Sequence, residues 1–140
     1  MAFWHTKDEQ GITSAELVAA LTKMDMMLSS DSHGPSWTKT AGAVDRNGKT
    51  VNPVDSAAVS WSVQGAAWYA ANGYQPPQMP YRQICMALHA AMNRPMVTLQ
   101  EHETGLNFDG MKEWLASAIE YAKNNDPWTP YLIQHPERLR

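Results

Sequence analysis

Four times along this chain, apolar residues return at steps of three and four, and each run is cut off by glycine, proline or asparagine. That rhythm matches the 3.6-residue turn of amphipathic helices packed against one another. The first run is Leu17, Leu21, Met24 and Leu28. Ahead of it, Thr13-Ser14-Ala15-Glu16 has the form of a capping box, with Ile12 and Leu17 placed to close a hydrophobic staple. A helix is expected over about 14–30, fading at Ser29-Ser30-Asp31 and stopped by Gly34-Pro35.

A second helix is expected over about 55–72, with Asp55 as its cap after the break at Pro53. Val59, Val63, Ala66, Ala67 and Ala70 form its stripe, Trp61 and Trp68 flank it, and Asn72-Gly73 stops it. Gly65 inside this helix costs about 1 kcal/mol relative to alanine, so a closely approaching backbone is the expected compensation. The third helix, about 80–93, starts on Pro80, carries Ile84, Leu88 and Ala91, and ends at Asn93-Arg94-Pro95. The fourth, about 109–124, is capped by Asn107 or Asp109 and carries Met111, Trp114, Leu115, Ala118, Ile119 and Ala122. Between helices one and two, Asn47-Gly48 suits a two-residue turn closing a hairpin over about 43–51. Met96 to Leu99 reads as a short strand or an extended segment, 101–108 as loop, and 125–140 as an extended, proline-containing arm. The expected fold is a single mainly α domain over 1–140: a compact four-helix unit with a small β-hairpin between helices one and two and extended terminal arms.

Charge and composition narrow the function classes. Eleven Lys and Arg against 14 Asp and Glu leave a net charge of −3, which lacks the basic footprint that displaces counterions from phosphate. Direct nucleic-acid binding is therefore not expected. No apolar run approaches the ~18 residues that suggest a membrane span, and Met1-Ala2-Phe3-Trp4-His5 lacks a basic-then-apolar signal pattern. One cysteine, Cys85, allows no internal disulfide and fits a reducing compartment, so a cytoplasmic protein is expected. The five histidines match no metal-ligand spacing, and the eight glycines stand without a phosphate-cradle motif. No catalytic residue, metal or cofactor is assigned. Cys85 beside Ile84 reads as a small buried hydrophobe, and Glu101-His102-Glu103 is the densest candidate for acid–base or ligand chemistry.

Pro53-Val54-Asp55 followed by Ala58-Val59-Ser60-Trp61-Ser62-Val63-Gln64-Gly65-Ala66 resembles a family of small proteins of unknown function found in actinobacteria and tailed phages. The likeness extends in outline over about 14–122. It implies an N-terminal helix, a tryptophan-bearing segment, a glycine turn and a final helix such as 111–122, in a phage setting. Where that family carries a Trp-Asn-Asp turn before its last helix, this chain reads Leu99-Gln100-Glu101-His102-Glu103. The resemblance brings no activity with it.

Six tryptophans in 140 residues point to recognition surfaces as well as core, since partly exposed tryptophan is enriched at binding hot spots. The leading expectation is a small, non-enzymatic, phage-encoded accessory protein that binds another protein of host or phage and occludes it, as an anti-CRISPR protein does. Trp4, Trp37, Trp128 and Tyr131 are the expected contacts, with Arg138 and Arg140 as charged rim. One alternative is an enzyme or ligand-binding domain with a pocket near Glu101, His102 and Glu103. A second is a self-associating assembly protein, a homodimer meeting through Gly65-Ala66-Ala67.

Overall fold

The computed structural model describes residues 11–29, 36–39, 41–94 and 96–124. Among these residues five helices and one short ribbon follow in chain order: α1 (Ser14–Met27), β1 (Ala43–Val44), β2 (Ser60–Trp61), α2 (Val63–Ala71), α3 (Gln78–Met92), α4 (Leu99–Thr104) and α5 (Phe108–Asn124). The mainly helical fold with a small antiparallel ribbon between the first two helices is the one expected. No helix among the described residues is long and apolar enough to cross a membrane.

Helices α1, α2, α3 and α5 close a ring in which each packs on two neighbours. Their running direction alternates. At one end, Ser14 Oγ donates to Ala122 O at 2.7 Å, and Gln83 of α3 holds the residue before the α1 cap. At the other, Lys112 near the start of α5 pairs with Asp25 at 2.6 Å and donates to Asp25 O and Leu28 O. That ammonium sits where the α1 carbonyls run out, and α1 carries no basic residue in its own last turn. The capping box at Thr13 and Glu16 forms as expected.

Within the ring, Leu17, Leu21, Met24, Leu28, Ile84, Leu88, Met111 and Leu115 are fully buried. Met26 points out at 71% exposure while Met27 packs on the core. Trp114 is buried and its indole donates to Leu88 O at 2.9 Å, which gives its N–H a partner within the core. Gln83 is the most enclosed polar side chain in the core. Its Oε1 accepts from Ile12 N at 2.7 Å and its Nε2 donates to Ile12 O at 3.1 Å, pairing both main-chain groups of a buried residue. Gln83→Leu keeps the volume but strips both partners, and is expected to lower the unfolding free energy by about 2 kcal/mol in urea titrations. An unchanged midpoint would contradict that pairing.

The structure departs from the sequence reading at three places. The second helix begins at Val63, not near 55, because Ser62 accepts from Gly65 N and caps it. Asp55 instead accepts from Ala57 N through its carboxylate, and Asn52 accepts from Val54 N through its amide oxygen; such local bonds compete with helix. Val59 is consequently 45% exposed. The turn near 43–51 is also different. Asp45 O accepts from Gly48 N, Asp45 Oδ1 accepts from Asn47 N and Lys49 N, and only Gly48 takes positive φ, at 80°. Val44 touches Thr50 in a single bridge, while the ribbon proper pairs 43–44 with 60–61. Finally, helix α4 takes up Leu99, the end of the expected strand or extended segment 96–99, and the first half of the expected loop at 101–108, because a second capping box, Thr98 with Glu101, starts it. The C-terminal arm over 125–140 lies outside the described residues.

Ala66 and Ala67 are buried in the core and Gly65 is buried beneath the 28–62 connection, so they form no external face for a homodimer. The close neighbour expected at Gly65 is the Gly42 main chain.

Candidate functional site

Three connections around the bundle are short, spanning 72–77, 93–98 and 105–107. The fourth, 28–62, is far longer than the 2–8 residues two antiparallel helices need. Its second half lies at the end of the bundle where α4 also sits. Residues 36–38 run beside β2 on the edge opposite β1: Trp61 N donates to Ser36 O and Thr38 N to Trp61 O.

One carboxylate oxygen ties this excursion to the helices. Glu103 Oε2 accepts from the Trp37 indole at 2.7 Å and from Val63 N, the first amide of α2, at 2.8 Å. Glu103 is only 4% exposed. Burial pushes its carboxyl above the usual glutamate range, while the Val63 N–H, the Trp37 indole and the nearby Lys39 charge pull it back down. Lys39 Nζ in turn donates to Thr104 O at 3.0 Å and to Leu106 O, placing a cation at the carbonyl end of α4. The ammonium also stands 5.2 Å from the centre of the Trp37 ring, which packs at 6.3 Å from Phe108.

Beside Glu103 and Lys39 opens a cleft of about 170 Å³, walled further by Ser62, Gln64, Gln100, Thr104 and the Ala41-Gly42 segment. Two hydrogen bonds use Glu103 Oε2; among the described residues nothing donates to Oε1. The cleft therefore faces a buried carboxylate with unspent acceptor capacity and an adjacent ammonium.

The triplet Glu101-His102-Glu103 does not act as a unit, because successive residues of α4 point in different directions. Glu101 spends its carboxylate on the Thr98 cap. His102 turns to the α3 side, with Nδ1 at 3.1 Å from Arg94 Nη1 and its ring edge-on to Trp114 at 4.7 Å. Burial and then the Arg94 charge hold its imidazole below the ordinary pKa, which keeps it neutral at neutral pH. Glu103 alone reaches the cleft.

Of the residues expected to contact a partner, Trp37 is half-buried against the core, with its indole N–H committed to Glu103. Trp4, Trp128, Tyr131, Arg138 and Arg140 lie outside the described residues. Nothing in the sequence marks Lys39, Gln64 or Gln100 as site residues. The long span between two strong helical runs was the available signal, since structureless loops of that length are usually functional. Cys85 packs at the core margin, its thiol pushed up to about 11 by burial despite a hydrogen bond from Tyr81, so no thiolate nucleophile forms there at neutral pH. Among the described residues no group of three or more His, Cys, Asp or Glu converges on a metal position. The chain matches no family model, no curated protein and no solved structure.

Proposed function

We propose that this protein works by binding another protein, and that recognition takes place at the bundle end built from 36–62 and α4. The observation that carries this reading is the 28–62 connection, whose docked second half closes none of the ring yet builds a polar cleft. Elaborated loops held on a rigid scaffold are the usual place for recognition. The family resemblance adds a setting: an accessory factor, phage-encoded and cytoplasmic, that occludes a host protein of a defence complex. No catalytic step is part of the proposal.

The test is capture of a stoichiometric partner from nuclease-treated host lysate by the tagged protein, repeated with two variants. Gln100→Trp fills the cleft from an exposed position on α4, and Arg82→Ser alters an exposed residue at the far end of the bundle. The expected result is a partner held by wild type and Arg82→Ser and lost by Gln100→Trp. Capture that survives Gln100→Trp, or no partner at all, contradicts the proposal.

One observation favours a second reading, a pocket for a free small molecule: the unspent oxygen of buried Glu103. Absence of a protein partner together with a saturable small-molecule thermal shift would put that reading first.

A further inference from the structure

The cleft beside Glu103 holds one anion and one cation, each already half-used. Glu103 Oε2 is saturated by Trp37 and Val63, leaving Oε1 as an acceptor. Lys39 spends two of its three N–H donors on Thr104 O and Leu106 O. A buried carboxylate oxygen without a donor is costly, so the site favours an occupant that supplies one. The flanking ammonium, however, repels a second cation, and the carboxylate repels an anion. What satisfies both is a neutral group carrying a donor and an acceptor side by side. Size agrees: a cleft of about 170 Å³ has room for a group as small as a side-chain amide. The Gln64 and Gln100 amides on the walls offer further donor and acceptor pairs of the same neutral kind.

We infer that the cleft between Glu103 and Lys39 is a receptor for a primary carboxamide, its NH₂ donating to Glu103 Oε1 and its carbonyl accepting from Lys39 Nζ. This rests on the proposed partner binding, in which the carboxamide is an asparagine or glutamine side chain presented by the partner protein. The Trp37 indole donates to the same carboxylate, so its N–H resonance reports on what Glu103 contacts.

The experiment is a nitrogen–proton NMR titration of the full chain at pH 7.5 with propionamide, propionate and methylguanidinium in turn, following the Trp37 indole. Propionamide reproduces the end of a glutamine side chain without a backbone. The expected result is a saturable shift with propionamide, with a dissociation constant on the order of 10 mM for so small a ligand. Propionate and methylguanidinium are expected to bind at least about tenfold more weakly. Glu103→Gln keeps a carbonyl oxygen for Trp37 and Val63 but presents NH₂ to the cleft, and is expected to weaken propionamide at least about tenfold. No saturable shift, equal or tighter binding of either ion, or undiminished binding by Glu103→Gln each overturns the inference. A partner captured without propionamide binding defeats the carboxamide assignment alone. Propionamide binding without any partner defeats the protein-binding reading and leaves the receptor standing.

Discussion

Glu103→Ala is expected to lower the unfolding free energy by about 3–5 kcal/mol, since each buried donor left without an acceptor costs about 1–3 kcal/mol and the cavity adds to that. Three losses add together. The Val63 amide at the head of α2 and the Trp37 indole both lose the acceptor that holds them at 2.8 and 2.7 Å. Segment 36–39 loses one of its two ties to α4, keeping the Lys39 bond to Thr104 O, and the vacated volume merges with the cleft. Glu103→Gln should behave differently, because a single carbonyl oxygen can accept both bonds and the charge need not be buried. The sign of its pH dependence follows from the raised carboxyl. A carboxyl pushed above its unfolded value stabilises the fold at low pH, and that contribution disappears as pH rises through the folded pKa. The stability of Glu103→Gln relative to wild type is therefore expected to improve as pH climbs from about 4.5 toward neutrality. His102 acts in the opposite sense in both proteins. Its lowered pKa supports the fold above about 6.5, and that support fades as pH falls. Because it is common to the two proteins, it cancels in the comparison. Urea titrations of all three proteins between pH 4 and 8 check both statements.

The second large effect is at Gly65. On helix propensity alone, Gly65→Ala should stabilise α2 by about 1 kcal/mol. The structure reverses the sign. A Cβ there collides with the Gly42 carbonyl, its carbon 2.7 Å away, and the obstacle is main chain, not a side chain able to rotate aside. Gly42 is held in turn by Ser62 N, which donates to its oxygen, so yielding disturbs the start of α2 as well. A loss of about 3–4 kcal/mol is expected, near the upper range for overpacking because backbone must move. Gly105→Ala is the control. Its φ is −84° and the nearest atom to an added Cβ is His102 O at 3.8 Å, so stability should stay within about 0.5 kcal/mol of wild type. Equal effects at the two glycines in thermal or urea unfolding would contradict the close approach.

What could be read from sequence, and what could not, divides along the range of the interactions involved. The helices that build the ring declared themselves because their signals are local: Thr13 with Glu16, Pro80 near a helix start, and apolar residues three and four apart. Even the close neighbour of Gly65 is expected from sequence, though not its identity, since Gly42 lies 23 positions away. Helix α4 was missed despite the same local signal, Thr98 three residues before Glu101, because it is only six residues long and its apolar periodicity has no room to repeat. Asp55 was misplaced as a cap because an aspartate before a helical run serves an isolated turn equally well, and only the pairing of 60–61 with 43–44 decides between them. The site lies furthest from sequence. The sequence offers Trp37 as a contact and Glu103 as part of a triplet, yet their bond spans 66 positions and depends on where a long connection docks. Lys39 and Gln100 carry no local pattern at all; they belong to the site through position in the fold.

Everything proposed for the cleft depends on Glu103 being a buried carboxylate bonded to the Trp37 indole. The most direct measurement is the Trp37 indole N–H resonance followed by NMR from pH 3 to 8, in wild type and in Glu103→Gln. The account predicts a single titration in wild type with a midpoint above about 4.5, the indole proton moving downfield as Glu103 ionises, and no such step in Glu103→Gln. A midpoint at or below the ordinary glutamate value, or a titration that persists in Glu103→Gln, would contradict it.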